Sequence, residues 1–246
     1  MGFTTALLTV LSFYLVAAVT LTPTAAQFAC NSTGATCNGL VGYVSPNSTT
    51  LGHIKSLFDI KNLRNLLGAN GLPPSTPSTH PVAANETLQI PFVCLCRNGT
   101  GLPRNHRPAY TVVPGDGLYH IAAEVFAGLA VNNISNANLI IVGEDLWIPL
   151  PCSCDEVGGE RVVHYGYVVP SGATVEEIAQ EYNTTQDTLL ALNGLTSPKD
   201  LLAGAVLDVP LQVSANNAQK LSLQGWSWSY LLISIHLVVL CSRLIN

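Results

Sequence analysis

Leu146-Trp147-Ile148-Pro149-Leu150-Pro151-Cys152-Ser153-Cys154 decides the fold, because a short apolar run reaches a proline and is followed at once by a Cys-x-Cys pair. A run of this length bounded by proline reads as a strand that proline stops. The same cadence occurs in Leu88-Gln89-Ile90-Pro91, ahead of Cys94 and Cys96, and again in Leu207-Asp208-Val209-Pro210. Self-similarity of this kind marks repeated small units.

Working outward, each closing strand has an opening partner: Gly42-Tyr43-Val44, Tyr110-Thr111-Val112-Val113 and Gly166-Tyr167-Val168-Val169. After the second comes the turn Pro114-Gly115-Asp116-Gly117, then Leu118, Ile121, Ala122, Val125 and Phe126 at helical spacing. After the third, Thr174 stands three residues before Glu177, a capping-box pattern that opens a helix with Val175, Ile178, Ala179 and Tyr182 on one face. A further helix is expected at Lys61 to Leu67, Asn132 to Leu139 and Thr185 to Leu192. The order is strand, helix, helix, strand, three times over, which gives an α+β fold of three small modules. Units of roughly 45 residues bury little core, so cross-links between them are expected to carry part of the stability.

Of seven cysteines, Cys241 stands in an apolar C-terminal tail, leaving Cys30, Cys37, Cys94, Cys96, Cys152 and Cys154. An even number in a secreted chain reads as three disulfides, with fifteen pairings open. Neighbours within one Cys-x-Cys would close a strained ring, so each pair bridges outward. Zinc is disfavoured, because its sites space cysteines by two to four residues; no metal and no cofactor are expected.

The ends carry targeting signals. An apolar run from Ala6 to Leu21 leads to Thr22-Pro23-Thr24-Ala25-Ala26, so residues 1–26 read as a signal peptide cut before Gln27. Small residues Ser214-Ala215-Asn216-Asn217-Ala218 precede a polar stretch and the apolar tail Tyr230 to Cys241, the order a GPI transamidase reads, with Asn217 as the attachment residue. Residues 212–229 then form a linker and 230–246 a removed tail. The alternative is one membrane-spanning helix, for which the apolar stretch is short and Arg243 is the lone following cation.

Charged residues make up only 10% of the chain, while six sequons, at Asn31, Asn47, Asn85, Asn98, Asn133 and Asn183, point to a glycosylated exterior. From Tyr110 to Asn217 two Lys/Arg face thirteen Asp/Glu, which excludes nucleic acid. Catalysis is not expected either. Asp116, Glu124, Asp155, Glu156, Glu176 and Glu177 form no cleft pair, His53, His80, His106, His120 and His164 have no metal-ligand spacing, and no Gly-x-Ser-x-Gly motif is present.

These residues resemble the LysM receptor-like proteins of plants. The resemblance rests on Tyr43 to Thr50, Leu66 to Pro73, Pro81 to Asn85, Leu146 to Asp155 and Leu207 to Leu211, and covers nearly all of Phe28 to Leu211. It implies modules at 27–97 (with an N-terminal Cys segment), 108–154 and 162–211, and the pairs Cys30–Cys96, Cys37–Cys154 and Cys94–Cys152. It also implies that chitin oligomers are gripped by the two loops of one module, carried here onto Val113, Pro114, Gly115, Asp116, Gly117 and Leu118 and onto Leu139, Ile140, Ile141 and Val142. Backbone amides in such loops can bond the acetamide, and Ile140 or Ile141 can cover its methyl. The second of these loops looks several residues short, so a scaffold that has lost binding is one alternative and peptidoglycan as ligand another. The partners implied are chitin oligosaccharides, a LysM receptor-like kinase that signals for the chain in plant immunity, and the outer face of the plasma membrane through the lipid anchor; a homodimer is left open.

Overall fold

A computed structural model describes residues 28–129 and 140–212. The expected signal peptide, the expected helix Asn132 to Leu139, the sequon at Asn133, the expected attachment residue Asn217 and the apolar tail all lie outside the described residues. Among the described residues no helix is long and apolar enough to cross a membrane.

From the N-terminus, β1 (Ala29–Cys30) leads into β2 (Thr36–Val44), then β3 (Thr49–Thr50), α1 (Leu51–Leu57), α2 (Leu63–Ala69), β4 (Pro81–Val82) and β5 (Thr87–Arg97). A turn joins β5 to β6 (Gly99–Pro103); β7 (Ala109–Thr111) and β8 (Asp145–Trp147) follow. The last unit is β9 (Val162–Val168), α3 (Val175–Glu181), α4 (Gln186–Leu192) and β10 (Val206–Gln212). The second helix of the first unit thus runs Leu63–Ala69, two residues later than the spacing predicts, because Asn62 caps it by accepting from Arg64 N–H at 2.9 Å.

The first and last units are built alike. Thr50 caps α1, and Thr174 caps α3 with the expected capping box to Glu177. At the far ends, Asn70 and Asn193 act as clamps. Asn70 Nδ2 donates to Leu66 O and to Gln89 O of β5, and its Oδ1 accepts from Gln89 N–H. Asn193 does the same with Leu189 O and with both backbone groups of Asp208 in β10. Gly71 and Gly194 follow at positive φ, the left-handed step that ends a helix.

Each opening strand pairs with its closing strand antiparallel: β2 with β5, β7 with β8, β9 with β10. The units are nevertheless not separate beads. β2 also lies parallel to β9, through Leu40 opposite Tyr165 and Val41 opposite Gly166, so a six-stranded sheet runs β1-β6-β5-β2-β9-β10. Two of the three closing prolines do not end their strands: Pro91 sits inside β5 and Pro210 inside β10. Pro210 is on the sheet edge, and β6 joins β5 only from Cys94 onward. Both prolines can therefore point their nitrogen away from the ladder at no loss.

The expected α-helix after β7 is a π-helical turn, His120–Val125. Phe126 N–H donates to Ile121 O, five residues back, which turns Ile121 and Phe126 onto one face; both are buried. That face meets the first unit through aromatic edges running Tyr43, Phe58, Phe126 and Tyr110, and Tyr43 O–H donates to Val125 O at 3.1 Å. Burial pushes the Tyr43 phenol up to about 12. Apolar packing therefore joins the first two units in one core, which also takes in Val206 of β10, while most of the third unit gathers around Tyr165, Ile178, Leu189 and Val209, with Leu40 of β2 packed against them.

Disulfides Cys30–Cys96, Cys37–Cys154 and Cys94–Cys152 tie these parts together. They enclose 66, 117 and 58 residues of sequence separation, and each closure of that length contributes up to about 4–5 kcal/mol by restricting the unfolded chain. In the β2·β5 ladder Cys37 stands directly opposite Cys94, yet each bonds elsewhere.

The seam between β2 and β9 has one tight point. A Cβ added at Gly42 would fall 2.2 Å from Tyr165 Oη. Gly42→Ala is expected to cost about 1–3 kcal/mol in chemical denaturation, and adding Tyr165→Phe, which removes that oxygen, to recover part of the loss; equal losses with and without Tyr165→Phe contradict the close approach.

Candidate ligand-binding site

The two loops of the second unit are stitched to each other by backbone bonds. Val112 N–H donates to Glu144 O (2.9 Å) and Gly143 N–H to Val112 O (2.8 Å), while Glu144 N–H closes a turn within the second loop by donating to Ile141 O (3.0 Å). Thr111 Oγ1–H adds a bond to Asp145 at 2.6 Å. Inside the first loop Asp116 is the brace. Its side chain is 3% exposed and accepts from Val113 N–H (2.8 Å) and Tyr110 O–H (3.0 Å), with His120 at 3.6 Å. Burial, with Asp116 beside it, raises the Tyr110 phenol above its usual range.

With its carboxylate occupied, Asp116 shapes the loop, and what the loops offer a ligand is apolar surface and backbone. Val113, Ile141 and Val142 are 48%, 68% and 58% exposed. Of the two isoleucines named from sequence, Ile140 packs against the core and Ile141 points out. Pro114, Gly115 and Gly117 are exposed at the turn, Leu118 is half-buried, and Leu139 lies outside the described residues. The N–H groups of Gly115 and Val142 take no partner among the described residues. Tyr119, 79% exposed at the start of the π-helical turn, was not among the residues read from sequence; an aromatic directly after a core-spaced leucine is the signal for it.

A groove lies elsewhere among the described residues. It is open, about 570 Å³ in volume, and sits between the equivalent loops of the first unit, lined by Ser48, Thr49, Thr50, Pro81, Val82, Ala83 and Glu86, where β3 pairs with β4.

The carboxylates do not converge. Glu124 is exposed beside His120, and Glu176 and Glu177 occupy the first turn of α3. Asp155 accepts from the backbone N–H and side chain of both Asn31 and Ser32 at 2.8–3.0 Å. Burial pushes its carboxyl up, but these four bonds outweigh that and hold it below the usual range. The cysteine sulfurs close enough to share a metal are those of the disulfides.

His164, read from sequence as one of a scattered set, is fully buried on β9. Nδ1 lies 2.8–2.9 Å from both carboxylate oxygens of Asp208 on β10, and Nε2 donates to Asp155 O at 2.8 Å. A carbonyl can only accept, so Nε2 carries hydrogen and a second proton is shared with Asp208. Burial alone would depress the histidine, but Asp208 and the Asp155 carbonyl raise it. Burial raises Asp208 as well, against the pull of His164. The histidine's contribution to stability is therefore complete below its ordinary 6.5 and lost as pH rises through its raised value. That of Asp155 is complete above its ordinary 3.8 and lost as pH falls through its lowered value. Urea midpoints are expected to be highest between those limits. Asp208→Ala, which strands a buried cation, is expected to cost about 3–5 kcal/mol at pH 6, and His164→Gln to flatten the alkaline limb; an unchanged limb would contradict this assignment.

LysM domains match residues 110–149 and 167–210. The chain is 43% identical over 226 residues to LysM domain-containing GPI-anchored protein 2 of Arabidopsis thaliana, covering 89% of this chain and 63% of that protein. It is 44% identical over 206 residues to the chitin elicitor-binding protein of Oryza sativa subsp. japonica, covering 80% and 58%. The chain thus spans less than two thirds of either relative. The solved ectodomain of a receptor like kinase shares the fold, with a TM-score of 0.55 at 20% identity over 72% of this chain and 92% of that one. The chain therefore contains LysM domains at residues 110–149 and 167–210 and is similar along most of its length to LysM domain-containing GPI-anchored proteins.

Proposed function

We propose that this chain is a non-catalytic pattern-recognition protein of the plant cell surface that binds chitin oligosaccharides through the second of three LysM modules. The modules occupy 27–97, 108–154 and 162–211. The first is assigned as a LysM module on its likeness to the third: the same strand–helix–helix–strand order, the same threonine caps, and asparagine clamps at Asn70 and Asn193. The observation that carries the binding reading is the exposure of Val113, Ile141 and Val142 on two loops already locked together by hydrogen bonds. A neutral acetamido sugar suits such a surface, since methyls meet aliphatic side chains and amides meet free backbone groups. The name of the rice relative, a chitin elicitor-binding protein, supports the ligand class. Residues 1–26 act as the signal peptide, and a GPI anchor at Asn217 holds the protein to the outer face of the plasma membrane. A LysM receptor kinase carries the signal inward. Sequons at Asn31, Asn47, Asn85, Asn98 and Asn183, all exposed, and at Asn133 receive glycans.

Calorimetry of the secreted protein with chitin oligosaccharides is the test. Saturable binding is expected, weakened at least ~10-fold by Ile141→Asp with Val142→Asp, which places charge where the methyls dock. Peptidoglycan fragments are expected to compete poorly. No binding at high micromolar oligosaccharide contradicts the proposal.

A further inference from the structure

The groove of the first unit differs from the loops of the second in what stands at its rim. Ser48 and Thr49 on one side belong to the sequon Asn47-Ser48-Thr49, and Glu86 on the other to Asn85-Glu86-Thr87. Both asparagines are exposed. Both are also pinned to one buried residue: Ser45 O–H donates to Asn47 O at 2.8 Å, and Asn85 N–H donates to Ser45 O at 2.7 Å. Two glycosylation sites thus converge at one end of a groove of about 570 Å³, a volume within the range of small-ligand sites.

We infer that the groove of the first module is occupied in cis by the protein's own N-linked glycan, whose core disaccharide comes from Asn47 or Asn85. This rests on the carbohydrate reading above and adds a regulation to it. In glycosylation, asparagine Nδ2 loses a proton and bonds to C1 of a lipid-pyrophosphate-linked oligosaccharide, expelling the lipid pyrophosphate. The first two sugars of an N-linked glycan are β1,4-linked N-acetylglucosamine, the repeat of chitin itself. A module built to grip that repeat therefore has it tethered at its rim, at an effective concentration that free oligosaccharide cannot match. The first module is filled, and the second, whose stitched loops carry no sequon among the described residues, is left open to external ligand.

Asn183 provides the control, since it too is an exposed sequon at positive φ, 52° against 64° at Asn85. The full chain is secreted from a eukaryotic host, and site occupancy and glycan release by a peptide-N-glycosidase are followed site by site by mass spectrometry. Asn47 and Asn85 are expected to be modified, and at one of them release from the native protein is expected to be ~10-fold slower than at Asn183, as a glycan docked about ten parts to one requires. The rates are expected to converge after denaturation, and in Ala83→Trp, which fills the groove. Bare asparagines at both positions, equal native rates, or protection that survives Ala83→Trp overturns the inference. Calorimetry with chitin oligosaccharides on the same samples separates the two readings. Binding retained beside equal release rates overturns the inference alone; binding by no form overturns the carbohydrate reading and this inference with it.

Discussion

Cys30, Cys94, Cys96 and Cys152 are buried together, with Cys37 and Cys154 packed against them, at the point where the N-terminal segment, the β5–β6 hairpin and the segment leaving β8 meet. Ala35 and Phe92 are the apolar side chains packed on that cluster among the described residues, so covalent bonds hold what packing alone does not. Hydrogen bonds extend the hub. Ser153 O–H donates to Ala29 O at 2.7 Å, Asp155 grips Asn31 and Ser32, and the Asp155 carbonyl accepts a hydrogen bond from His164 Nε2 on β9. A single short segment, Cys152 to Asp155, thereby fixes the N-terminus, the first unit and the third relative to one another. The loops of the second unit inherit their position from it, through β8 immediately upstream.

Much of the fold was readable because it is written locally and repeated. Strand polarity, the capping box at Thr174 and the helical spacing after Thr185 each depend on a few neighbouring residues, and each stands where the pattern places it. The parallel seam of β2 and β9 was not readable. It joins positions about 125 residues apart, Leu40 and Tyr165, and nothing in either strand's own pattern names the other. Pro91 and Pro210 misled for a related reason, since whether proline ends a strand depends on which side of it is paired. The π-helical turn was hidden because Ile121 and Phe126 also fit an ordinary amphipathic spacing with their neighbours.

At the candidate site, sequence located the loops but not the role of each side chain. Asp116 carries a charge in a glycine-rich turn, and only its burial shows that the charge is spent on the loop's own backbone. Adjacent isoleucines cannot be told apart by composition, yet Ile140 belongs to the core and Ile141 to the surface. His164 and Asp208 are 44 residues apart in the chain and become partners through the antiparallel register, in which His164 stands opposite Pro210. The signal that was present, the repeated Asn-Gly-Leu at Asn70 and Asn193, marks the helix-to-strand clamp and pairs the first unit with the third.

The register that sets Cys37 across from Cys94 has a consequence for how the chain matures. A ribosome delivers both cysteines well before Cys152 and Cys154 emerge, so for an interval the nearest available thiols on neighbouring strands are the wrong ones. With Cys30–Cys96 formed as well, bonding them would leave Cys152 and Cys154 with only each other, across a single serine. Correct closure thus depends on an oxidation that is delayed, or that is undone by thiol exchange once the later pair arrives.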